Sequence, residues 1–391
     1  MVSICRTFGV SELPKTAHAS PVIRWCLNVF FVKEGLKFVP KFLNVPVAFT
    51  HANHPFRHPA SIAAFLVGAS VAHTTAFAQT PSTAPSPKSV NEQMVETLTK
   101  LAGGPHAGFR ANHAKGVVVM GSFMPSASAA SLSIAPHLQK KPVPVTVRFS
   151  NQTGVPTMPD NDDNSKPYGI AIRFALPDTS FTDIVSISYN GFPTATPEEF
   201  LGLLNAVAAS GPDAVKPTPI EKFLDTHPVA KTFVTTPKPT PVSYATQAFY
   251  GVNSFKFTNA KNVSQFGRYQ ILPIGGEKFL SQSENSKVSA TYLMDELPKR
   301  LKTTPAKYKL WVQLAKEGDA INDGSISWPK ERPMVDLGTL TLISVVSDSL
   351  TAQKKLDYNP LVLPDGIEPS NDPILLARPG SYGFSIKQRN R

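Results

Sequence analysis

Apolar and polar residues alternate along several short stretches of the chain, which is the pattern of half-buried β-strands. Val145, Val147 and Phe149 fall on one face of such a strand, while Arg148 and Ser150 point together from the other face. Strands are predicted for residues 117–123, 143–150, 170–174, 183–188, 255–258, 269–272, 308–314 and 337–346, the last as a continuous buried run.

Helical spacing of apolar residues predicts helices over residues 91–101, 197–209 and 289–301, and in pieces over residues 217–233. The helix at 197–209 begins with Pro197 and two glutamates, which suit the first turn and the positive end of the helix dipole. Many strands with intervening helices predict an α+β fold, an antiparallel β-barrel surrounded by helices.

Composition places the chain among globular proteins with a sizeable core, since 41% of its 391 residues are hydrophobic and 17% are charged. The net charge is +11, but residues 1–78 hold seven Lys and Arg against two Asp and Glu. The rest of the chain is therefore only mildly basic. No basic stripe is present in the sequence, and no nucleic-acid partner is predicted.

The first 78 residues are predicted to be a leader that contains a signal peptide. An apolar run at residues 62–72 follows the basic Arg57, and a small-residue cleavage pattern ends at Ala78, just before Gln79. The run is too short to span a bilayer as a helix. The sequence therefore predicts export, to the periplasm, with a mature chain that starts near Gln79.

Both cysteines, Cys5 and Cys26, lie in the predicted leader, so no disulfide is predicted for the mature chain. The apolar segment at residues 25–49 is interrupted by charged residues, so no membrane span is predicted. Residues 79–90 are rich in Pro, Ser and Thr, which predicts a flexible linker before a main domain at residues 91–391.

Residues 110–116 read Arg-Ala-Asn-His-Ala-Lys-Gly and come directly before a predicted strand. The imidazole of His113 can accept a proton and return it, because a free histidine titrates near pH 6.5. A single histidine beside a strand is more often a core residue, and the histidines of the main domain lack the spacing of a metal cluster.

A second segment, residues 365–382, contains Gly-Ile-x-Pro-Ser-x-Asp, a short apolar run, and then Arg378 and Tyr382 in the pattern Arg-x-x-x-Tyr. The spacing Arg-x-x-x-Tyr alone is common in proteins. The preceding Gly-Ile-x-Pro-Ser-x-Asp pattern makes the whole segment much less common. A phenol ionises only near pH 10, so a phenolate at neutral pH needs positive charge beside it. A guanidinium and a ferric ion both favour the charged form.

In this order and separation, the two segments resemble the distal and proximal haem segments of the haem catalases. The resemblance implies haem b as cofactor, Tyr382 as the ligand of the ferric iron and Arg378 as the partner of the tyrosinate. It also implies that His113 lies on the distal side of the haem and moves the proton of the peroxide.

The stretch Val147-Arg148-Phe149-Ser150 resembles the next element of the same family. The resemblance implies that Ser150 orients the distal histidine and that Arg110, Arg148 and Arg389 bind the haem propionates. Arginine suits carboxylates because it offers paired N–H donors. Phe192 and Phe200 match family phenylalanines near the haem, although either residue could equally be plain core.

The sequence departs from full-size catalases at one distal position. Where that family has an asparagine, the register of residues 183–186 places Ile187, and Asn190 is out of register. The chain also stops soon after Tyr382, so the large C-terminal helical domain of catalases is expected to be absent. From about Met94 to its end, the sequence resembles the small catalase-related peroxidases.

The predicted function is that of an exported haem peroxidase, which reduces a peroxide and oxidises a small organic donor. Three alternatives stay open: a true catalase that dismutates hydrogen peroxide, a haem enzyme that rearranges hydroperoxides, and a periplasmic barrel that binds haem or another apolar ligand without turnover. The sequence leaves the donor and the oligomeric state open.

Three acidic residues, Asp160, Asp162 and Asp163, lie close together in a polar loop. The loop lacks the glycine and the bidentate glutamate of a calcium-binding hand. A solvated acidic loop is therefore predicted, and no calcium site.

Overall fold

The alternating stretch around Phe149 forms strand β2, Val143–Ser150, in the computed structural model, which describes residues 87–390. The predicted leader with its cysteines, the cleavage site and most of the predicted linker lie outside the described residues. Val145, Val147 and Phe149 are buried in the main hydrophobic core, as the alternation predicts.

Ten strands are found in the described part of the chain. They are β1 (Gly116–Pro125), β2 (Val143–Ser150), β3 (Gly169–Ala175), β4 (Phe181–Ile187), β5 (Phe249–Tyr250), β6 (Phe255–Thr258), β7 (Ser264–Pro273), β8 (Ala306–Leu314), β9 (Met334–Val345) and β10 (Ile367–Pro369). Every strand predicted from the sequence is present, and the short β5 and β10 are additional.

Eight of these strands close into an antiparallel barrel. The order around the barrel is β1-β2-β3-β4-β5-β7-β8-β9, and β9 pairs with β1 to complete the ring. Strands β6 and β10 extend the sheet from one end of β7. Inward-facing side chains fill the barrel, so the barrel interior is a packed core. The predicted antiparallel barrel with surrounding helices is confirmed.

Nine α-helices lie within residues 87–390. They are α1 (Val90–Leu101), α2 (Ala129–Leu132), α3 (Pro197–Ala208), α4 (Pro219–Thr226), α5 (Pro228–Thr235), α6 (Gln282–Asn285), α7 (Tyr292–Leu301), α8 (Ser349–Lys354) and α9 (Pro373–Arg389). Helices α1, α3, α4, α5 and α7 confirm the helical regions predicted from apolar spacing. None of the helices in the described part is long and apolar enough to cross a membrane.

Helix α9 was not predicted from the sequence. It starts at the N-cap Asp372, whose side chain accepts hydrogen bonds from the backbone N–H groups of Ile374 and Leu375. Pro379 and Gly380 lie inside the helix and weaken its sequence signal, because both residues have low helix propensity. Packing against α1 and α3 compensates for this weakness.

Two local predictions need correction. Strand β9 is not buried on both faces, because Leu340 and Leu342 lie in the core while Ile343 is 56% exposed. The acidic loop is not uniformly solvated either. Asp160 is fully buried and forms an ion pair with Lys115 at 2.6 Å, whereas the side chain of Asp163 is 73% exposed. Pairing offsets the cost of burying the Asp160 carboxylate.

Candidate active site

A cavity lies between the outer face of strands β2 to β4 and the helices α1, α3 and α9. The space open to the centre of a water molecule is about 280 Å³. All eight residues predicted for the site from the sequence line this cavity: Arg110, His113, Arg148, Ser150, Phe200, Arg378, Tyr382 and Arg389. The fold thus brings together residues that lie up to 279 positions apart in the sequence.

His113 is held in an unusual backbone conformation before strand β1. Its φ angle is 55°, in the left-handed region that residues with a Cβ rarely adopt. The N–H group of His113 donates to the carbonyl of Gln152 at 2.7 Å, and the N–H of Ala114 donates to that of Thr153. These bonds tie the histidine segment to the chain that follows β2 and so fix the direction of the imidazole.

Ser150 orients the imidazole, and the lack of a side chain at Gly169 leaves room for the ring. Nδ1 of His113 lies 3.1 Å from the hydroxyl oxygen of Ser150. A Cβ added to Gly169 would lie 2.9 Å from the imidazole and 2.9 Å from the Ser150 hydroxyl. Gly169, on strand β3, therefore provides the space that the His113–Ser150 pair occupies.

Burial and nearby positive charge keep His113 neutral. Burial, followed by the guanidinium groups of Arg148, Arg110 and Arg378, lowers the pKa of His113 to about 3. The imidazole is therefore uncharged throughout the physiological pH range. It can accept a proton, which is the property that an acid/base near a peroxide needs.

Arg148 donates hydrogen bonds to other residues through two of its three side-chain nitrogens. Nη2 donates to the carbonyls of His113 and Ala114 at 2.8 and 3.1 Å. Nε and Nη2 donate to the amide oxygen of Gln353 at 3.0 and 2.8 Å. Nη1 makes no hydrogen bond within residues 87–390. Arg148 thus supports the backbone of the histidine and keeps one donor group available at the cavity.

Arg110 and Arg389 lie beside Arg148. Arg110 donates to the main-chain oxygens of Gln353 and Leu356. Arg389, in the last turn of α9, donates through Nη2 to Asp357, while its buried Nε has no partner in the described part of the chain. Burial and the charge of Arg389 lower the pKa of Arg110 to about 10. The three guanidinium groups make this side of the cavity strongly positive.

Helix α9, which also carries Arg389, forms a further wall of the cavity. Arg378 and Tyr382 are one turn apart, and Nε of Arg378 donates to the Tyr382 hydroxyl at 2.9 Å. Nη1 of Arg378 donates to the amide oxygen of Asn253, and the amide nitrogen of Asn253 donates to Asp372 at 2.7 Å. A chain of hydrogen bonds therefore runs from the phenol to the buried carboxylate that caps α9.

Ile187 also lines the cavity, at the end of β4. It pairs in register with Gly169 of β3 and with Tyr250 of β5, so it lies on the same wall as the His113–Ser150 pair. Asn190 does not line this cavity but lies in a second one nearby. The wall that carries the His113–Ser150 pair therefore offers an apolar group at the position where the resemblance to catalases implies an amide.

The two phenylalanines matched from the sequence, Phe192 and Phe200, pack against each other with their ring centroids 5.0 Å apart. Both line the cavity, next to the apolar side chains of Met94 and Val95 from α1. This part of the cavity is therefore apolar.

Four residues that position the site were missed by the sequence analysis: Gln353, Asn253, Asp372 and Gly169. Asp372 was visible as part of the Gly-Ile-x-Pro-Ser-x-Asp pattern, but its function as N-cap and carboxylate partner depends on α9. The other three carry no local signal, because their partners lie in distant segments. No group of three His, Cys, Asp or Glu side chains suited to a metal ion exists within residues 87–390.

Comparison of the sequence with known proteins finds the catalase family, as the two motifs predicted. The family model described as Catalase matches residues 91–391. A catalase-related peroxidase of Synechococcus elongatus is 35% identical over 303 residues, which cover 76% of this chain and 88% of that protein. A catalase-related peroxidase of Mycolicibacterium paratuberculosis is 34% identical over 301 residues, with coverage of 76% and 94%.

Structure comparison shows the same fold. A fungal catalase matches with a TM-score of 0.65 and 21% identity, covering 73% of this chain and 59% of its own. Catalase A from Saccharomyces cerevisiae matches with a TM-score of 0.63 and 20% identity, covering 73% of this chain and 62% of its own. The chain thus spans about three fifths of these solved catalases. The chain belongs to the catalase family, and its sequence is similar to the catalase-related peroxidases of that family.

Proposed function

We propose that the chain is a haem-dependent peroxidase that reduces hydrogen peroxide or an organic peroxide and oxidises a small organic donor. One observation carries the proposal: a neutral histidine, His113, and a tyrosine–arginine pair, Tyr382 and Arg378, face the same cavity. The catalase-related peroxidases among the relatives support an oxidoreductase that acts on peroxide.

The side chains of the cavity fit haem b. Arg148 and Arg389 are buried and Arg110 is partly buried, and Nε of Arg389 has no partner within residues 87–390, so the three guanidinium groups suit the carboxylates of haem. The Tyr382 hydroxyl, with Arg378 beside it, suits a ferric ion. Phe200 and its apolar neighbours suit the porphyrin face. When bound, haem would supply an iron that binds peroxide and exchanges electrons with it.

His113 then moves the proton. Because its imidazole is neutral, it can take the proton from one peroxide oxygen and deliver it to the other as the O–O bond breaks, so that water leaves. Ser150, which is hydrogen-bonded to Nδ1 of His113, keeps the ring in place while it accepts the proton and while it returns it. With a donor written as AH₂, the overall reaction is H₂O₂ + AH₂ → 2 H₂O + A.

Ile187 favours a peroxidase over a catalase. Dismutation requires a second peroxide to be held on the distal side and oxidised to oxygen. An amide can donate and accept hydrogen bonds to that peroxide, whereas isoleucine can do neither. A peroxide without hydrogen bonds in an apolar pocket is poorly held. We therefore propose that a separate organic donor, and not a second peroxide, supplies the electrons.

The test compares oxygen release with donor oxidation in the same preparation. For the wild type, we expect oxidation of a dye donor to outpace oxygen release measured with an electrode. Ile187→Asn should raise oxygen release relative to donor oxidation. Ile343→Asn, the same substitution at an exposed position, is the matched control. Vigorous oxygen release with little donor oxidation by the wild type would contradict the proposal.

The absorption spectrum of the purified protein separates the remaining alternatives. A haem band that changes on addition of peroxide and returns with a donor supports the peroxidase. A haem band without any response to peroxide would favour a binding barrel, and consumption of an organic hydroperoxide without a donor would favour a rearranging enzyme.

We also propose that the protein is exported, on the basis of the apolar run at residues 62–72 and the small residues before Gln79. The catalase-like domain would then begin at residue 91, after a short linker. Mass spectrometry of the protein from its native host should find an N-terminus within a few residues of Gln79. An intact leader on cytoplasmic protein would refute export.

A further inference from the structure

Gln353 connects two of the arginines at the cavity. It lies in the short helix α8 and is 4% exposed. Its side-chain oxygen accepts two hydrogen bonds from Arg148, at 3.0 Å from Nε and 2.8 Å from Nη2. Its main-chain oxygen accepts a third from Arg110 at 3.2 Å. One buried, uncharged residue thus contacts both guanidinium groups, that of Arg148 through its side chain and that of Arg110, which Leu356 also binds, through its main chain.

Elsewhere in the described part of the chain, the same kind of contact is made by a carboxylate. Arg173 donates through Nε and Nη2 to the two oxygens of Asp183, at 2.9 and 2.8 Å. Arg332 binds Asp319 through the same two nitrogens at 2.7 and 2.8 Å. Gln353 occupies the equivalent place beside Arg148, but it brings no negative charge.

Neither guanidinium group beside Gln353 donates to a carboxylate within residues 87–390. Arg148 and Arg110 donate only to amide and carbonyl oxygens of the described residues. Burial lowers the pKa of both guanidinium groups, and so does a neighbouring positive charge, that of Arg389 for Arg110 and that of Arg110 for Arg148. Asp357 also lines the cavity and its charge acts on Arg110, but its ion-pair partner is Arg389 and its side chain is 46% exposed. A buried charge without a counter-ion costs free energy that an anionic ligand can recover.

We propose that Gln353 is a positioning residue that aims Arg148 and Arg110 at the cavity and, because it is neutral, reserves their charge for the carboxylates of the bound cofactor. This inference rests on the proposed haem-binding function. It predicts that a carboxylate at position 353 would form an internal ion pair with Arg148 and would compete with the carboxylates of the ligand.

The test is a binding titration of the haem-free protein with two ligands, haem and haem dimethyl ester, which has the same ring but no free carboxylates. Binding is followed by absorbance, so no activity is needed. We expect Gln353→Glu to weaken haem binding by about tenfold or more. We expect the affinity for the dimethyl ester to change little, because the ester carries no charge for Arg148 to bind.

Gln313→Glu is the matched control for burying a glutamate, since Gln313 is also buried but lies away from the cavity. We expect it to leave the preference for haem over the ester unchanged. Gln353→Met, which keeps the length and neutrality of the side chain but has no oxygen acceptor, provides a second variant. It should also weaken haem selectively, because Arg148 loses its direction.

Two outcomes would overturn the inference. Unchanged haem affinity in Gln353→Glu would show that a charge at position 353 does not affect the binding of haem. Equal losses for haem and the ester in both Gln353 variants would show that Gln353 only maintains the fold. If the wild type binds neither haem nor the ester, the proposed function itself fails, which is a different result from either of these.

Discussion

On the barrel side of the cavity, the functional groups come from separate segments that meet through strand pairing. Ser150 ends β2, Gly169 begins β3, and the two residues are partners in the register of the sheet. His113 comes from the chain before β1 and reaches both of them. The geometry of this group therefore depends on the register of the sheet.

On the helix side of the cavity, three functional residues come from one element, α9. Arg378, Tyr382 and Arg389 lie four and seven residues apart on α9, close to one and two helical turns, so a single face presents them all. Their position relative to the barrel depends on a few anchors, chiefly the hydrogen bonds from Arg378 to Asn253 and from Asn253 to Asp372.

This difference separates two kinds of effect. Substitutions on the helix wall should change how firmly the cofactor is bound, because α9 supplies the proposed iron ligand. Substitutions at the His113–Ser150 pair or at Gly169 should leave the cofactor bound and change the reaction with peroxide, because these residues position the proton acceptor. The following predictions test this division, from the largest expected effect to the smallest.

The largest effect is expected for Tyr382→Phe. The variant lacks the hydroxyl that Arg378 binds, and no other tyrosine in the described part of α9 replaces it. We expect the purified variant to lose stable haem, measured as the ratio of haem to protein. Tyr250→Phe removes a different hydroxyl from the same cavity and should keep its haem. Full haem content and an unchanged spectrum in Tyr382→Phe would contradict the ligand assignment.

His113→Ala is expected to have the next largest effect. The variant should retain haem, because α9 is unaffected, but its reaction with peroxide should be slower by about a hundredfold or more. Stopped-flow absorbance of the loaded enzyme measures this rate. His106→Ala, outside the cavity, serves as the control. A near-normal rate in His113→Ala would remove this histidine from the mechanism.

Asn253→Ala tests the anchor of the helix wall. Without the amide, Nη1 of Arg378 loses its acceptor and Asp372 loses a donor. Partners behind a metal ligand typically contribute tenfold to a hundredfold in metal affinity. We expect haem to dissociate about tenfold faster, measured by transfer to a haem-scavenging protein. A slower peroxide reaction with unchanged haem dissociation would be the opposite of what the division between the walls predicts.

Gly169→Ala tests the barrel wall in the same way. The new methyl group would lie 2.9 Å from the imidazole, so His113 or Ser150 must move. Small displacements of a catalytic group are costly, and we expect the peroxide reaction to slow by about tenfold while haem is retained. Gly211→Ala adds a methyl group where no neighbour lies within 4 Å, and should have no effect.

The smallest effect is expected from pH. Burial and three guanidinium groups lower the pKa of His113 to about 3, so the imidazole stays neutral between pH 8 and pH 5. An ordinary histidine would become protonated as the pH falls through about 6.5 and would no longer accept a proton. We therefore expect a nearly constant rate with peroxide over this range. A fall in rate centred near pH 6.5 would show that His113 becomes protonated in this range, so that the cavity does not lower its pKa.

Much of the fold and of the site could be predicted from local patterns. Alternation around Phe149 predicted β2 with its bounds, because one face of the strand packs into the barrel core and the period of two is imposed by the backbone. The eight site residues could be named because two specific motifs contain or flank most of them, and all eight line one cavity.

Other features could not be read from local sequence. The period of α9 was hidden by Pro379 and Gly380, so the helix that carries three of the site residues was missed. Asp160 looks like a solvated acid beside two others, yet its pairing with Lys115 buries it. Both outcomes depend on packing partners that the neighbouring residues do not specify.

By itself, the sequence determined which chemical groups the protein has and most of the elements that carry them, because periodicity and motifs are properties of neighbouring residues. Only the tertiary structure decided which groups meet. Gln353 reaches Arg148 across 205 positions, and Arg378 reaches Asn253 across 125. Hydrogen-bond partners, charge balance and burial are set by strand register and helix packing, so they become visible only when the chain is folded.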